Sequence, residues 1–100
     1  METFETINMI SKNPNVRGGR PCIAGTSLEV AVIAIDKIVH RRNPEEIAAD
    51  YVISLPQVYA ALAYYYDNKD EIDKTIKDRQ QLAQEFKEKQ VGSRRQSLFG

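Results

Sequence analysis

Few side chains in this sequence are of a type and spacing to do chemistry. Arg17 and Arg20 flank two glycines in Asn13-Pro14-Asn15-Val16-Arg17-Gly18-Gly19-Arg20-Pro21-Cys22-Ile23-Ala24-Gly25-Thr26. Two guanidiniums beside exposed backbone amides can hold an anion. The stretch lacks the Gly-Lys-Ser/Thr ending of a P-loop and the spacing of a dinucleotide fingerprint, so anion contact rests on the arginines. The sole histidine, His40, and the sole cysteine, Cys22, form neither a metal set nor a nucleophile pair. Cys22 reads as a buried thiol packing as a small hydrophobe. Glu45, Glu46 and Asp50 are accounted for by helix-start electrostatics and solvation. The residues therefore point to no enzyme, no metal and no cofactor, and leave binding as the chemistry to place.

The elements that must position these residues follow from periodicity and punctuation. Thr6 to Ser11 alternates well enough for a short strand, and Cys22 to Thr26 is its expected partner across the glycine turn. A lone hairpin is marginal, so it must lie on helices or pair with another chain. From Leu28 the period becomes helical, with Val30, Ile33, Ile35, Ile38 and Val39 on a broad apolar face through about Arg42 and a cap at Thr26 or Ser27. Lys37, His40, Arg41 and Arg42 make the last turn cationic, which suits the helix dipole and also a phosphate. Asn43-Pro44-Glu45-Glu46 starts a second helix ending near Val52. Ser54-Leu55-Pro56-Gln57 has capping-box spacing and starts a third, with Leu55, Val58, Leu62 and Tyr65 inward. From Asp67 the chain turns charged. Ile72, Ile76, Leu82 and Phe86 form a thin stripe on a long solvated helix, Asp70 to Lys89, braced by pairs such as Asp70 with Lys74 and Asp73 with Lys77. Val91 to Gly100 has no period and is expected to fray in isolation.

The expected fold is thus mainly α: a short N-terminal β-hairpin, a helix-turn-helix-like trihelical core, and a long C-terminal helix. The arm takes residues 1–27, the core 28–67, the charged helix 68–90 and a flexible tail 91–100, in one structural domain. Fourteen basic and fourteen acidic residues cancel, which argues against a strong sequence-independent hold on a polyanion. No signal peptide or apolar span stands out, so a cytoplasmic protein without membrane contact is expected.

If the third helix reads DNA, Gln57, Ala60, Ala61, Tyr64 and Asn68 face outward. Gln57 can pair with adenine and alanine can meet a thymine methyl. No Arg or Lys lies on that helix, so phosphate contacts would come from Lys12, Arg17, Arg20, Arg41 or Arg42. Ile76, Leu82, Phe86, Leu98 and Phe99 are the candidates for contact with a protein partner.

The chain resembles the small bacterial family known as domain of unknown function 433. The resemblance is carried by Asn13-Pro14, by Gly18-Gly19-Arg20-Pro21-Cys22-Ile23-Ala24-Gly25-Thr26, by Pro44-Glu45-Glu46-Ile47 and Tyr51, by Val58-Tyr59-Ala60-Ala61-Leu62-Ala63-Tyr64-Tyr65, and by Glu71-Ile72-Asp73. It covers about residues 7 to 76. It implies a helix-turn-helix-like domain of homeodomain or winged-helix type, regarded as the antitoxin of a VapB-like pair whose toxin is a PIN-like ribonuclease. Two positions depart from the pattern: members usually have arginine where Ser27 stands and glycine where Arg41 stands. Two readings remain. One is an antitoxin-like dimeric regulator that binds operator DNA and neutralises a toxin ribonuclease. The other is an interaction module without DNA binding that dimerises through the hairpin or the long helix.

Overall fold

The computed structural model describes residues 1–5 and 8–99, with side chains described as far as residue 89. The elements are β1 (Ile10–Ser11), β2 (Cys22–Ile23), α1 (Val30–Ile38), α2 (Pro44–Tyr51), α3 (Leu55–Asp67) and α4 (Lys69–Phe99). The mainly helical fold with an N-terminal antiparallel hairpin is the architecture expected from the sequence.

The hairpin is shorter than its sequence suggests. Ile10 pairs with Ile23 and Ser11 with Cys22, and the ladder extends one bond further, from Ala24 N–H to the Met9 carbonyl at 2.8 Å. The strand expected to begin at Thr6 is seen from Ile10, and Thr6 and Ile7 lie outside the described residues. The second strand stops at Ile23 because the chain turns there. The Thr26 hydroxyl donates to the Ile23 carbonyl at 2.8 Å and accepts from Leu28 N–H at 3.0 Å. Gly25 sits at φ 78°, where a Cβ would meet nothing within 4 Å. Glycine is needed there for its backbone conformation and not for space. The chain then returns along β2: Ile23 N–H donates to the Leu28 carbonyl and Val30 N–H to the Pro21 carbonyl. Thr26 and Ser27 therefore do not cap α1. The cap position is Glu29, which is still extended and has no side-chain cap bond.

The helix α1 ends at Ile38, earlier than the expected Arg42. Val39 and His40 N–H groups both reach the Ile35 carbonyl, Arg42 N–H reaches the Asp36 carbonyl, and Arg41 lies in the left-handed region at φ 55°. The next two helices start as their sequences direct. The Asn43 side chain accepts from Glu46 N–H at 2.8 Å, and Ser54 and Gln57 complete a reciprocal capping box. Between them Val52 is also left-handed, at φ 54°, and turns the chain from α2 into α3.

The core joins Ile23 of the hairpin to Val30, Ala31, Ile33 and Ala34 of α1, Ile47 of α2, Val58, Ala61, Leu62 and Tyr65 of α3, and Ile72 of α4. On α3 the inward direction passes between Val58 and Tyr65. Ala61, expected outside, is consequently buried, and Leu55 stands at the rim. Among the described residues the i,i+4 ion pairs on α4 are Lys69 with Asp73 at 3.0 Å and Lys74 with Asp78 at 3.5 Å, not the Asp-to-Lys pairs expected. Asp73 is engaged elsewhere, accepting from the Tyr65 hydroxyl at 2.7 Å. At the surface each such pair stabilises by only a few tenths of a kcal/mol.

A non-glycine residue held left-handed costs about 1 kcal/mol. Arg41→Gly is therefore expected to raise unfolding stability by about 0.5–1 kcal/mol in urea titration. A loss on that substitution would mean that the Arg41 side chain makes a stabilising contact.

Candidate functional site

The arginines singled out by the sequence are mostly committed to the protein itself. Arg17 Nε donates to the Ser27 carbonyl at 3.1 Å. Arg20 Nε donates to Glu29 Oε1 at 2.8 Å. Arg42 bridges the ends of two helices, pairing with Asp50 of α2 and lying 3.6 Å from Asp36 of α1. Asp36 in turn accepts from the Tyr51 hydroxyl at 2.6 Å, and this bond holds the Tyr51 phenol above its ordinary pKa, with help from burial. Arg41 is exposed and, alone among the four candidate arginines, makes no side-chain hydrogen bond or ion pair to the described residues. Gln57, the candidate base reader, uses its side-chain oxygen to accept from Ser54 N–H at 2.7 Å. Reading a base with it would first break the cap.

The densest polar arrangement is one that the sequence did not single out. Glu29, its side chain only 6% exposed, receives Arg20 on one side. On the other it receives Arg79 of α4, whose guanidinium lies 2.5 and 2.6 Å from the two carboxylate oxygens. Burial alone would push this carboxyl's pKa up. The hydrogen bonds from Arg79 and Arg20, with their charges, outweigh burial and hold it below the ordinary carboxylate range. Cys22, next to it, is a free buried thiol whose pKa is pushed up, first by burial and then by the Glu29 charge. A thiol kept protonated is a packing group and not a nucleophile. A signal for the node was present in the sequence, since Arg79 follows Ile72 and Ile76 at helical i,i+4,i+7 spacing. It occupies a position on the inward stripe where an aliphatic residue would be routine.

A family model described as "Protein of unknown function (DUF433)" matches residues 10–65. The chain belongs to this family. A crystal structure of a DUF433 member protein from Anabaena variabilis, at 2.00 Å resolution, is similar to this fold with a TM-score of 0.64. The two sequences are 28% identical over 69% of this chain and 68% of the other. No curated protein matches the chain.

The residues matched to the family run from the hairpin to Tyr65 and stop short of α4. Within them the two departures have structural readings. Arg41 adopts the backbone conformation that glycine would adopt freely. At Ser27 the backbone carbonyl takes up Arg17.

Among the described residues, two helix faces expose apolar side chains in series. One is the outer face of α3, where Tyr59 is 51% and Tyr66 62% exposed and no Arg or Lys is found. Ala60 and Tyr64, the other candidates there, are half-buried, and Tyr64 lines the same groove as Ile10 and Tyr59. The second is α4 beyond Arg79. Ile76 packs against the core, whereas Leu82 and Phe86 are 67% and 62% exposed. The side chains of Leu98 and Phe99 lie outside the described residues. Among the described residues no three His, Cys, Asp or Glu side chains group to hold a metal ion, and no helix is long and apolar enough to cross a membrane.

The depressed Glu29 carboxyl links stability to pH. Its contribution is complete above the ordinary glutamate value of about 4.3 and is lost as pH falls through the lower folded-state value. Glu29→Gln is expected to cost about 2 kcal/mol at neutral pH, discounted for the partial exposure of both arginines, and to flatten the loss of stability below pH of about 4. Urea titrations at neutral and acid pH measure both. An acid slope identical to that of the unsubstituted chain would move the linkage to other carboxylates.

Proposed function

We propose that this chain is the partner-binding member of an antitoxin-like pair and that it acts through protein contact along the outer part of α4. The observation that supports this reading is the fate of the α4 stripe. It is buried at Ile72, half-buried at Ile76 and pinned at Arg79, and then continues into solvent as Leu82 and Phe86. On a helix otherwise so polar, an apolar stripe with nothing beneath it is built to lie in a groove or against another helix. The partner class, a PIN-like toxin ribonuclease, comes from the family resemblance.

The test is capture of the product of the adjacent reading frame by the full chain. Leu82→Glu with Phe86→Glu is expected to weaken capture by more than about tenfold, since each places a charge in an apolar contact. The chain's own melting temperature should barely move, because both side chains are exposed. Undiminished capture by the double variant would remove α4 from the contact.

A second reading, operator binding by a helix-turn-helix dimer, is favoured by α2 and α3, which are joined through Val52, Ile53 and Ser54. With Arg17, Arg20 and Arg42 engaged internally, Arg41 is the one of the four candidate arginines left for phosphates. A mobility shift on the upstream DNA should therefore show a shallow salt dependence, a log–log slope of about −1 to −2. A slope steeper than about −4 would show that the internal pairs open on DNA, and no shift at low salt would dismiss the reading.

A further inference from the structure

The outer face of α3 is independent of the α4 contact and calls for an occupant of its own. Tyr59, Ala63 and Tyr66 follow one another at i,i+4,i+7, so they form a single ridge flanking the buried stripe of Val58 and Tyr65, with the Tyr66 ring edge-on to Tyr65 at 5.1 Å. Along it runs an open groove of about 880 Å³, with Pro56, Ala60 and Tyr64 among its walls. The middle of the ridge is low, at Ala63, and a tyrosine rises on each side.

We propose that this face docks a second copy of the chain, as an antiparallel α3–α3 pair crossing at Ala63. A two-fold contact must be complementary to itself, and this ridge is. A two-fold axis through Ala63 lays Tyr59 of one copy beside Tyr66 of the other, and the two alanines let the helix backbones approach closely. Charge selects both the occupant and the direction. Among the groove residues only Asp67 is charged, so a second copy meets no like charge at the centre, and Lys12, which reaches the Tyr64 side chain beside the groove, is already paired with Glu71 at 2.9 Å. In the antiparallel pair the two Asp67 carboxylates lie at opposite ends, about 12 Å apart along the axis, beyond the screening length in physiological salt. A parallel pair would bring them side by side. Tyrosine is also a residue that protein interfaces favour, because its ring buries while its hydroxyl stays wet.

The experiment is sedimentation of the full chain over a wide concentration range, alone and with substitutions. The unsubstituted chain is expected to dimerise reversibly. Ala63→Glu, which sets two carboxylates face to face on the axis, should weaken the dimer by more than about tenfold. Its circular dichroism and melting should stay unchanged, since Ala63 is exposed. Ala63→Cys should form a disulfide-linked dimer under mild oxidation, while Gln81→Cys on α4 should not, and the buried Cys22 thiol stays out of the reaction. Three results would overturn the proposal: a monomer at every concentration, a dimer that survives Ala63→Glu, or an Ala63→Cys chain that does not cross-link. A monomer that shifts DNA and loses the shift on Ala63→Glu would assign the face to nucleic acid instead. Partner capture by the Ala63→Glu chain reads the α4 contact separately, so failure of either inference is distinguishable from failure of the other.

Discussion

Glu29 lies where the chain passes from the hairpin into α1, and three separate parts of the fold meet at this residue, two of them on its carboxylate. Arg20 brings the end of the glycine turn, the extended backbone of Glu29 itself pairs with Cys22, and Arg79 brings α4. An ionised carboxylate buried without partners would be costly, and the two guanidiniums hydrogen-bonded to it offset that cost. The position of α4 on the body thus depends on two kinds of contact. Ile72 and Ile76 supply apolar area, and Arg79 supplies a polar contact that fixes where the helix parts from the core. Hydrophobic packing alone would let the helix slide or turn. A charged fork on a buried acid does not.

That constraint shapes what the molecule can offer to others. Because Arg20, Arg17 and Arg42 satisfy internal acceptors, the basic residues that could have formed a phosphate cradle mainly hold turns and helix ends together. The surfaces left over are aromatic and aliphatic: the tyrosine ridge of α3 and the stripe of α4 beyond Arg79. Both are suited to protein contact, and they face different tasks, one self-complementary and nearly uncharged, the other on an amphipathic helix that leaves the body. A domain with zero formal net charge, in which Arg17, Arg20 and Arg42 are engaged internally, has little long-range attraction for a polyanion.

Much of the fold was legible in the sequence because its start and stop signals are local. Asn43-Pro44 and the Ser54–Gln57 box begin α2 and α3 where side-chain chemistry alone says they should. The errors arose where tertiary pairing competed with local preference. Thr26 is a good helix cap by type, yet its hydroxyl closes the turn after β2, and α1 begins later. Ala61 and Leu55 exchanged roles because the inward direction on α3 is set by the helices it meets and not by hydrophobicity alone. The Glu29 node was hidden for a related reason. Charged residues in an amphipathic run read as solvent-facing, and only the spacing of Arg79 after Ile72 and Ile76 marks it as inward. Arg20 was noticed as a binding residue when its partner sits nine positions along the chain.

We propose the free part of α4 as a protein-contact element. Hydrogen exchange on the full chain, with and without the product of the adjacent reading frame, tests it most directly. Amides of α4 up to Arg79 should share the protection of the core in the free chain, while those from Leu82 to Lys89 should exchange much faster and slow markedly on adding the partner. Equal protection on both sides of Arg79 in the free chain, or no slowing of residues 82–89 in the complex, would contradict it.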